Sequence, residues 1–311
     1  MATDHTPPNV VVVGSYNHGF VMSTPTIPVP GETVLGSGYQ EGAGGKGSNQ
    51  AIGATRLGAD VEFVGRIGED RFGDNAIDLW RQEGVSTTHV DRTDATHTGV
   101  GFVVVDENGE NAITVAPGAN QRLDATAVQE ASDPIEAADV VLCQLETKTE
   151  PVMTALETAD RAGVVTVLNP APARALPTDL LARVEYLTPN RTEARILAGY
   201  APDATVDDRT LCAELLEAGP STVVLTQGGD GALAVTAEET IDVDAPDVDV
   251  TDTTGAGDAF NAGFSVAIGE GHDLRSATAF GCRVGALACT VTEVVPALPY
   301  RSDVDPPEER E

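Results

Sequence analysis

The chain has 311 residues, of which 41% are hydrophobic, enough for one large α/β domain with a full core. Its formal net charge is −31, and only Lys46 and Lys148 are lysines. Such an acidic surface argues against nucleic acid or an anionic membrane as partner and is typical of a halophilic protein that stays soluble in concentrated salt. We therefore interpret the negative charge as an adaptation to high salt, and it gives no information about the reaction.

The sequence carries no stretch of 18 apolar residues, and residues 1–9 lack the pattern of a secretory signal. We therefore expect a cytoplasmic protein that does not associate with a membrane. Four cysteines stand in apolar segments without Cys-x-x-Cys spacing, so buried free thiols are expected and a zinc site is not. They are Cys143, Cys212, Cys282 and Cys289.

Apolar segments predict strands that alternate with helices. Strands are predicted at residues 10–13, 60–64, 139–145, 164–168, 186–188 and 222–226. Helices are predicted after the glycine-rich segments 42–50 and 65–73, and at residues 151–162, 179–184, 191–198 and 207–216. This alternation predicts an α/β fold with a parallel sheet and right-handed crossovers.

Two segments do not follow the alternation. Residues 20–40 have no helical period and contain three prolines, and residues 99–115 are typical of a hairpin with an Asn-Gly turn. We expect these segments to form a small β-structure apart from the main sheet.

Residues 252–260 (Asp-Thr-Thr-Gly-Ala-Gly-Asp-Ala-Phe) are predicted to connect a β-rich segment ending near Val250 to a helix over residues 259–268. Free N–H groups at a helix start attract phosphate. Asp258 would repel that phosphate, so a chemical role is indicated: a base that takes a proton from the attacking hydroxyl. The alternative is a first-turn aspartate that complements the helix dipole.

The glycine-rich segment 42–50 resembles a Walker A loop but lacks two of its residues, because Gln40 and Gly47 stand at the Gly and Ser/Thr positions. Lys46 and Asn49 remain as groups that can bind a hydroxylated ligand. Further polar groups follow other predicted strands, at the sheet edge where α/β proteins bind ligands. They are Asn17, residues 144–146, Asn169, Asn190 with Glu193, and residues 226–229.

Five ordered motifs between residue 10 and about residue 300 resemble those of the ribokinase (PfkB carbohydrate kinase) family. They are residues 14–17, 44–50, 169–173, 188–193 and 252–260, and the second and third are similar to the ribokinase branch in particular. The resemblance implies transfer of the ATP γ-phosphate to a primary hydroxyl of a pentose, giving ribose 5-phosphate from ribose. It also implies one Rossmann-like three-layer α/β domain over residues 1–311. A β-sheet lid from about 17–40 and 97–116 would be inserted in that domain and would pair two subunits into a homodimer.

The same resemblance implies roles for individual residues. The base would be Asp258, and the amides of Gly255, Ala256 and Gly257 would stabilise the transferred phosphoryl group. The sugar-binding positions match Asn17, Gly45, Lys46, Asn49, Glu146 and Asp258. The ATP-binding positions match Asn190, Thr226, Gly228, Gly231, Gly257 and Cys282. For the metals, Asn190 and Glu193 would organise Mg²⁺ through water, and Asp252 and Thr254 would bind K⁺.

Two departures from the family pattern leave alternatives open. Gly19, preceded by His18, stands where ribokinases have an aspartate that binds sugar hydroxyls. Three explanations for this replacement are open. The first is neutral drift, and the second is an anionic acceptor such as ribose 1-phosphate, which Gly19 with His18, Lys46 or an arginine would tolerate. The third is a nucleoside acceptor, for which the missing side chain leaves room. Glu293 and Val294 stand in a loop that in ribokinases contains glycine and helps to bind the monovalent cation.

Two other classes of function are less consistent with the sequence. A non-enzymatic sugar- or nucleotide-binding regulator on the same fold is expected to have lost the base or the anion-binding turn, and both are present. A dehydrogenase is expected to carry Gly-x-Gly-x-x-Gly, which the first strand–turn segment lacks.

Overall fold

The computed structural model describes residues 6–305. Within that range thirteen strands form two sheets: β1 (Asn9–Val13), β2 (Asn17–Ser23), β3 (Gly38–Gly44), β4 (Asp60–Gly68), β5 (Ser86–Thr93), β6 (Gly99–Val105), β7 (Asn111–Ala116), β8 (Val140–Cys143), β9 (Val165–Leu168), β10 (Tyr186–Leu187), β11 (Thr222–Thr226), β12 (Ala232–Val235) and β13 (Thr240–Val243).

Twelve α-helices connect or cover these strands in the same described range: α1 (Lys46–Arg56), α2 (Arg71–Glu83), α3 (Ala125–Glu130), α4 (Ser132–Glu136), α5 (Thr149–Ala162), α6 (Thr178–Leu181), α7 (Arg191–Leu197), α8 (Asp208–Glu217), α9 (Ala256–Gly269), α10 (Leu274–Ala288), α11 (Val294–Ala297) and α12 (Arg301–Val304). Between residues 6 and 305, no helix combines the length and the apolar character that crossing a membrane requires.

The main sheet has nine strands in the order β13-β12-β11-β10-β9-β8-β1-β4-β5. The seven strands from β11 to β5 are mutually parallel, and six of them are the strands that the sequence predicted. The other edge consists of two strands that the sequence did not predict, and there β12 runs antiparallel to both β11 and β13. A short turn over residues 227–231 joins β11 to β12, and so short a connection can join only antiparallel neighbours.

Helices pack on both faces of this sheet, which confirms the predicted three-layer sandwich. The valines of β1 alternate between two hydrophobic cores. Val10 and Val12 pack in the core that contains residues of α1, α2, α9 and α10. Val11 and Val13 pack in the core that contains residues of α3, α5 and α8. A strand buried on both faces is continuously apolar, which explains the run of valines.

Several elements differ from the prediction. The strand β5 and the short helices α3 and α4 were not predicted, and β4 continues four residues past the expected end at residue 64. The expected strand before residue 252 is wrong, because residues 244–255 contain no strand. Pro246 and the aspartates at 244, 247 and 249 disfavour a ladder in this segment.

The smaller sheet has four strands in the order β3-β2-β6-β7. β2 and β6 are parallel, whereas β3 and β7 pair antiparallel to them. These strands correspond to the two segments that left the strand–helix alternation, although β3 extends to Gly44, past the expected limit at residue 40. Because β2 begins at Asn17, four residues after β1 ends, the small sheet stands at the carboxyl end of the main sheet.

Asp70 connects the small sheet to the main sheet. One of its oxygens, Oδ1, caps α2 by accepting from the N–H groups of Phe72 and Gly73. Thr98, just before β6, donates its hydroxyl to Oδ1 at 2.7 Å and its N–H to Oδ2 at 2.8 Å. Partial burial raises the pKa of Asp70, but these hydrogen bonds outweigh it and leave the pKa below its usual value.

Asp70→Ala should lower the free energy of unfolding by about 2 kcal/mol, because four donors lose a charged acceptor. Since the folded-state pKa of Asp70 is lowered, its contribution is present above about pH 4 and is lost as the pH falls further. Chemical denaturation from pH 7 to pH 3 measures this difference. The control is Asp74→Ala, which removes an exposed ion pair with Arg92. Equal losses for the two variants would contradict the stabilising role of the Asp70 hydrogen bonds.

Candidate active site

A cavity of about 590 Å³ opens at the carboxyl ends of β9, β10 and β11 and is covered on one side by α9 and α10. Many of the residues that the sequence singled out line it together, although they come from distant parts of the chain. These are Lys46, Asn190, Glu193, Thr226, Gly228, Gly231, Gly255, Ala256, Gly257, Asp258 and Cys282. The cavity is therefore the candidate active site.

Asn17, Gly45 and Glu146 do not line this cavity but lie directly behind Lys46. The Glu146 carboxylate Oε2 accepts from the Lys46 N–H at 2.8 Å and from Asn17 Nδ2 at 3.3 Å. It also accepts from the Ser15 hydroxyl. Gly45 has φ 92, and a Cβ there would lie 2.7 Å from the Tyr16 Cα, so glycine is required by packing.

Asn120 is a member of this cluster that the sequence did not indicate. It is buried, it donates from Nδ2 to Asn17 Oδ1 at 2.9 Å, and it accepts from the Tyr16 N–H at 3.0 Å. Because Asn17 Oδ1 is occupied, Asn17 directs its Nδ2 group to Glu146. No sequence signal identifies Asn120, since it lies in a short 3₁₀ turn between β7 and α3.

Asp258 is the third residue of α9, and its side chain is almost completely buried. Both carboxylate oxygens accept from carboxamides on α1: Oδ2 from Asn49 Nδ2 at 2.8 Å and Oδ1 from Gln50 Nε2 at 2.9 Å. An aspartate that only complements a helix dipole needs neither burial nor two such donors, so that alternative does not explain the geometry. Gln50 was not among the predicted site residues, although it follows Asn49 in the same motif.

The anion-binding turn has the expected glycine geometry. Gly255 caps α9 with φ 84, and a Cβ there would lie 2.7 Å from a Val294 methyl. The Ala256 N–H donates to the Thr253 carbonyl at 3.2 Å. Across the described residues, the N–H groups of Gly255 and Gly257 have no hydrogen-bond acceptor. Two of the three predicted amides are therefore free at a positive helix end.

Lys46 carries the positive charge of the site. The Asp258 charge raises the pKa of Lys46 most; burial opposes this, and the charges of Glu146 and Glu193 raise the pKa further. The ammonium therefore keeps its proton at neutral pH although it is largely buried. Lys46 therefore supplies a positive charge that partly balances the negative charges of Asp258, Glu146 and Glu193.

Asn190 and Glu193 form a capping box at the start of α7. Asn190 Oδ1 accepts from the Glu193 N–H at 2.8 Å, and Glu193 Oε2 accepts from the Asn190 N–H at 2.9 Å. Burial is the largest influence on Glu193 and raises its pKa, against the lowering effects of the Asn190 hydrogen bond and Lys46. The pair thus shapes α7 and also presents hard oxygen atoms to the cavity, the type of ligand that Mg²⁺ prefers.

The far end of the cavity is mostly apolar. Burial raises the pKa of the Cys282 thiol to about 12, so Cys282 serves as neutral surface there. Other apolar residues of the cavity lie in the strandless segment 244–255 and on α10, and the sequence did not indicate them as site residues. They include Val248, Val250, Ala286 and Cys289, whereas Phe260 on α9 belongs to the predicted 252–260 motif.

Asp252 and Thr254 lie beside the anion-binding turn and do not line the cavity. Asp252 Oδ1 accepts from the Thr254 N–H at 2.9 Å, and the Asp252 N–H donates to the Cys289 carbonyl at 3.1 Å. The loop between α10 and α11 contains Glu293 at φ 68 and ψ 154, a conformation that is almost restricted to glycine. In the described part of the chain, no other non-glycine residue has a positive φ.

The adjacent positions 18 and 19 of β2 face opposite sides of the small sheet. Gly19 pairs with Gly42 and Gly101 and shares the face of Asn17. The His18 ring stacks on Phe72 at 4.3 Å between centroids, and its Nε2 lies 3.2 Å from Glu41 Oε2. His18 is therefore directed away from the Asn17 side, because adjacent strand residues alternate between faces. The alternative in which His18 helps the site to tolerate an anionic acceptor is not favoured by this geometry.

Comparison with known proteins identifies relatives over almost the whole chain. The pfkB family carbohydrate kinase model matches residues 7–301. A ribokinase of Haemophilus influenzae is 37% identical over 94% of this chain and 96% of its own, and one of Bacillus subtilis is 35% identical over 96% and 98%. The structure of Arabidopsis thaliana ribokinase complexed with ribose and ATP superposes with a TM-score of 0.90 at 30% identity, covering 96% of this chain and 98% of that one. The ribokinase-like fold with a small separate sheet is thereby confirmed.

Glu193→Gln should make the protein more stable above the ordinary carboxyl pKa of 4.5. Because its folded-state pKa is raised, the folded state binds this proton more tightly, and the ionised form costs stability as the pH rises. The gain in stability should disappear as the pH falls below 4.5. Urea denaturation at a series of pH values measures the free energy of unfolding of both proteins. The control Glu193→Ala also loses the acceptor for the Asn190 N–H and should lose about 1 kcal/mol. A Gln variant less stable than wild type at pH 8 would contradict the assignment.

Proposed function

This chain belongs to the pfkB family of carbohydrate kinases, and we propose that it transfers the γ-phosphate of ATP to O5 of ribose, giving ribose 5-phosphate. The observation that carries the proposal is the buried Asp258 carboxylate, held by two carboxamides beside the free N–H groups of Gly255 and Gly257. A base and an anion-binding turn on the same helix start fit an alcohol that attacks a phosphate.

Asp258 is assigned as the base that removes the proton from the primary hydroxyl as that oxygen attacks the γ-phosphorus. The amides of Gly255, Ala256 and Gly257 are assigned to the charge on the transferred phosphoryl group, and among the described residues the N–H groups of Gly255 and Gly257 have no competing acceptor. The attack requires a hydroxyl held against Asp258, which is the task of the sugar-binding residues.

We assign the sugar hydroxyls to the cluster around Lys46, namely Asn17, Gly45, Lys46, Asn49 and Glu146. Buried oxygen and nitrogen atoms of this cluster are already oriented by one another. Ribose is preferred over ribose 1-phosphate and nucleosides, because the full-length relatives are ribokinases and because His18 is turned away from this pocket.

The nucleotide is assigned to the other end of the cavity. We assign its contacts to six residues that line the cavity, namely Asn190, Thr226, Gly228, Gly231, Gly257 and Cys282. Asn190 and Glu193 would hold Mg²⁺ through water, and their oxygen ligands suit that ion. When bound, a divalent cation neutralises charge on the phosphates. Lys46 adds a permanent positive charge beside them.

We assign K⁺ to the turn formed by Asp252 and Thr254. The support is the strained conformation of Glu293 in the neighbouring loop, because backbone strain of this kind clusters at active sites and ligand-binding sites. The high negative charge of the chain further supports activity in concentrated KCl.

We propose that residues 1–311 are one catalytic domain and that the small sheet is its lid. A lid excludes water, which would otherwise hydrolyse ATP. Its outer face exposes Met22 (38%), Tyr39 (60%) and Phe102 (42%), an apolar patch that suits the lid of a second subunit. Sedimentation should detect a homodimer that Phe102→Glu dissociates, and a wild-type monomer would contradict this pairing.

The function is tested by ADP release in molar KCl with ribose, ribose 1-phosphate, fructose and adenosine as acceptors. Ribose should give the highest kcat/KM, and Asp258→Asn should lower kcat by about 10²–10⁴-fold while ATP and ribose still bind in calorimetry. Chelation of divalent metal should abolish turnover, and tetramethylammonium chloride at equal concentration should support less activity than KCl. ADP release with none of the acceptors, or a preference for another one, would refute the proposed reaction.

A further inference from the structure

We propose that Gln50 is a positioning residue for the base, and that Gln144 and Asn169 hold Gln50 in the orientation that donates to Asp258. We call Gln144, Gln50 and Asn169 the carboxamide chain. The inference rests on the proposed function, because it takes Asp258 as the base. It adds one requirement for the reaction beyond the anion-binding turn and the sugar pocket. The Asp258 carboxylate must be held by a hydrogen-bond donor whose own orientation is fixed.

The carboxamide chain joins three separate elements at Asp258. Gln50 lies in α1, Gln144 directly follows β8, and Asn169 directly follows β9. Their exposures are 0%, 1% and 6%, so water does not compete for their hydrogen bonds. Gln144 Nε2 donates to Gln50 Oε1 at 2.5 Å, and Gln50 Nε2 lies 3.1 Å from Asn169 Oδ1 and 2.9 Å from Asp258 Oδ1.

The Thr188 backbone carbonyl sets the direction of every hydrogen bond in the carboxamide chain. The Thr188 carbonyl can only accept, so Asn169 must turn its amino group toward it, at 3.2 Å. Asn169 Oδ1 then faces Gln50, which must present its own amino group to that oxygen. The Gln50 oxygen is left to accept from Gln144. The orientation of Gln50 thus follows from the backbone, although a carboxamide by itself has two interchangeable ends.

The fixed amino group of Gln50 donates to Asp258 as well as to Asn169. Turning the Gln50 amide over would place its oxygen against the oxygens of both Asn169 and Asp258, so the donating orientation is locked. A hydrogen bond to the ionised form favours ionisation, and the ionised form is the one that can accept a proton from the sugar. The same bond holds one carboxylate oxygen in place while Asn49 holds the other.

Stability alone does not explain three buried carboxamides at this position. Gln144 Oε1 is buried and has no hydrogen-bond partner among residues 6–305, which lowers stability. Gln144 has no hydrogen bond to Asp258, and its one side-chain hydrogen bond goes to Gln50, so we expect its effect on Asp258 to pass through Gln50. This separation makes the inference testable with one pair of variants.

The test compares Gln50→Met, Gln144→Met and the double variant, with kcat measured across pH and ribose KM measured at neutral pH. Gln50→Met should lower kcat by about 10-fold or more and move the acidic limb of the kcat–pH profile to higher pH. Gln144→Met should act in the same direction but less. In the Gln50→Met background, Gln144→Met should change kcat no further, because its target is gone.

Thr166→Val is the control for general destabilisation, since Thr166 is buried and bonds backbone groups that do not line the cavity. It should lower the melting temperature without moving the pH profile. Should Gln50→Met not fold, Gln50→Glu keeps the shape and replaces the donor by a carboxylate, and it should displace the acidic limb further. An unchanged pH profile in the Gln50 variant, or an equal effect of Gln144→Met in both backgrounds, would overturn the inference. A wild-type protein without sugar-dependent ADP release would instead refute the proposed function.

Discussion

The contact between α1 and α9 is the interaction on which the candidate site depends. Asn49 and Gln50 on α1 reach Asp258 on α9 only because the two helices pack very closely, and Gly53 makes this possible. A Cβ at Gly53 would lie 2.8 Å from the Ala262 Cβ. Close packing thus places two donors on a carboxylate that would otherwise be buried without partners, which is costly.

Charge balance is the second constraint. The chain is strongly negative, yet the proposed reaction brings a triphosphate to a site that already contains Asp258, Glu146 and Glu193. Lys46 and the free N–H groups at the start of α9 compensate locally, where burial makes each charge count more than it does at the surface. The acidic surface and the reaction centre can therefore follow different electrostatic requirements within one chain.

Some expectations from sequence were accurate because they depend on local chemistry. The valine run of β1, the glycine turn before α9 and the glycine-rich start of α1 at Lys46 require particular residue types at short spacing. The antiparallel edge of β12 and β13, the strand β5 and the loop over residues 244–255 were missed or wrongly expected. Those features depend on which distant segments are neighbours, and their local periodicity is weak.

The sequence by itself determined the family and the α/β class and singled out Asp258 as the candidate base, because short motifs carry the backbone and charge requirements of phosphate chemistry. Tertiary structure decided what surrounds that carboxylate. The donor Gln50, the supporting Gln144 and Asn169, and the direction of His18 follow from contacts between residues up to 208 positions apart. Hydrogen bonds over such separations have no local pattern, since they exist only once the strands and helices have packed.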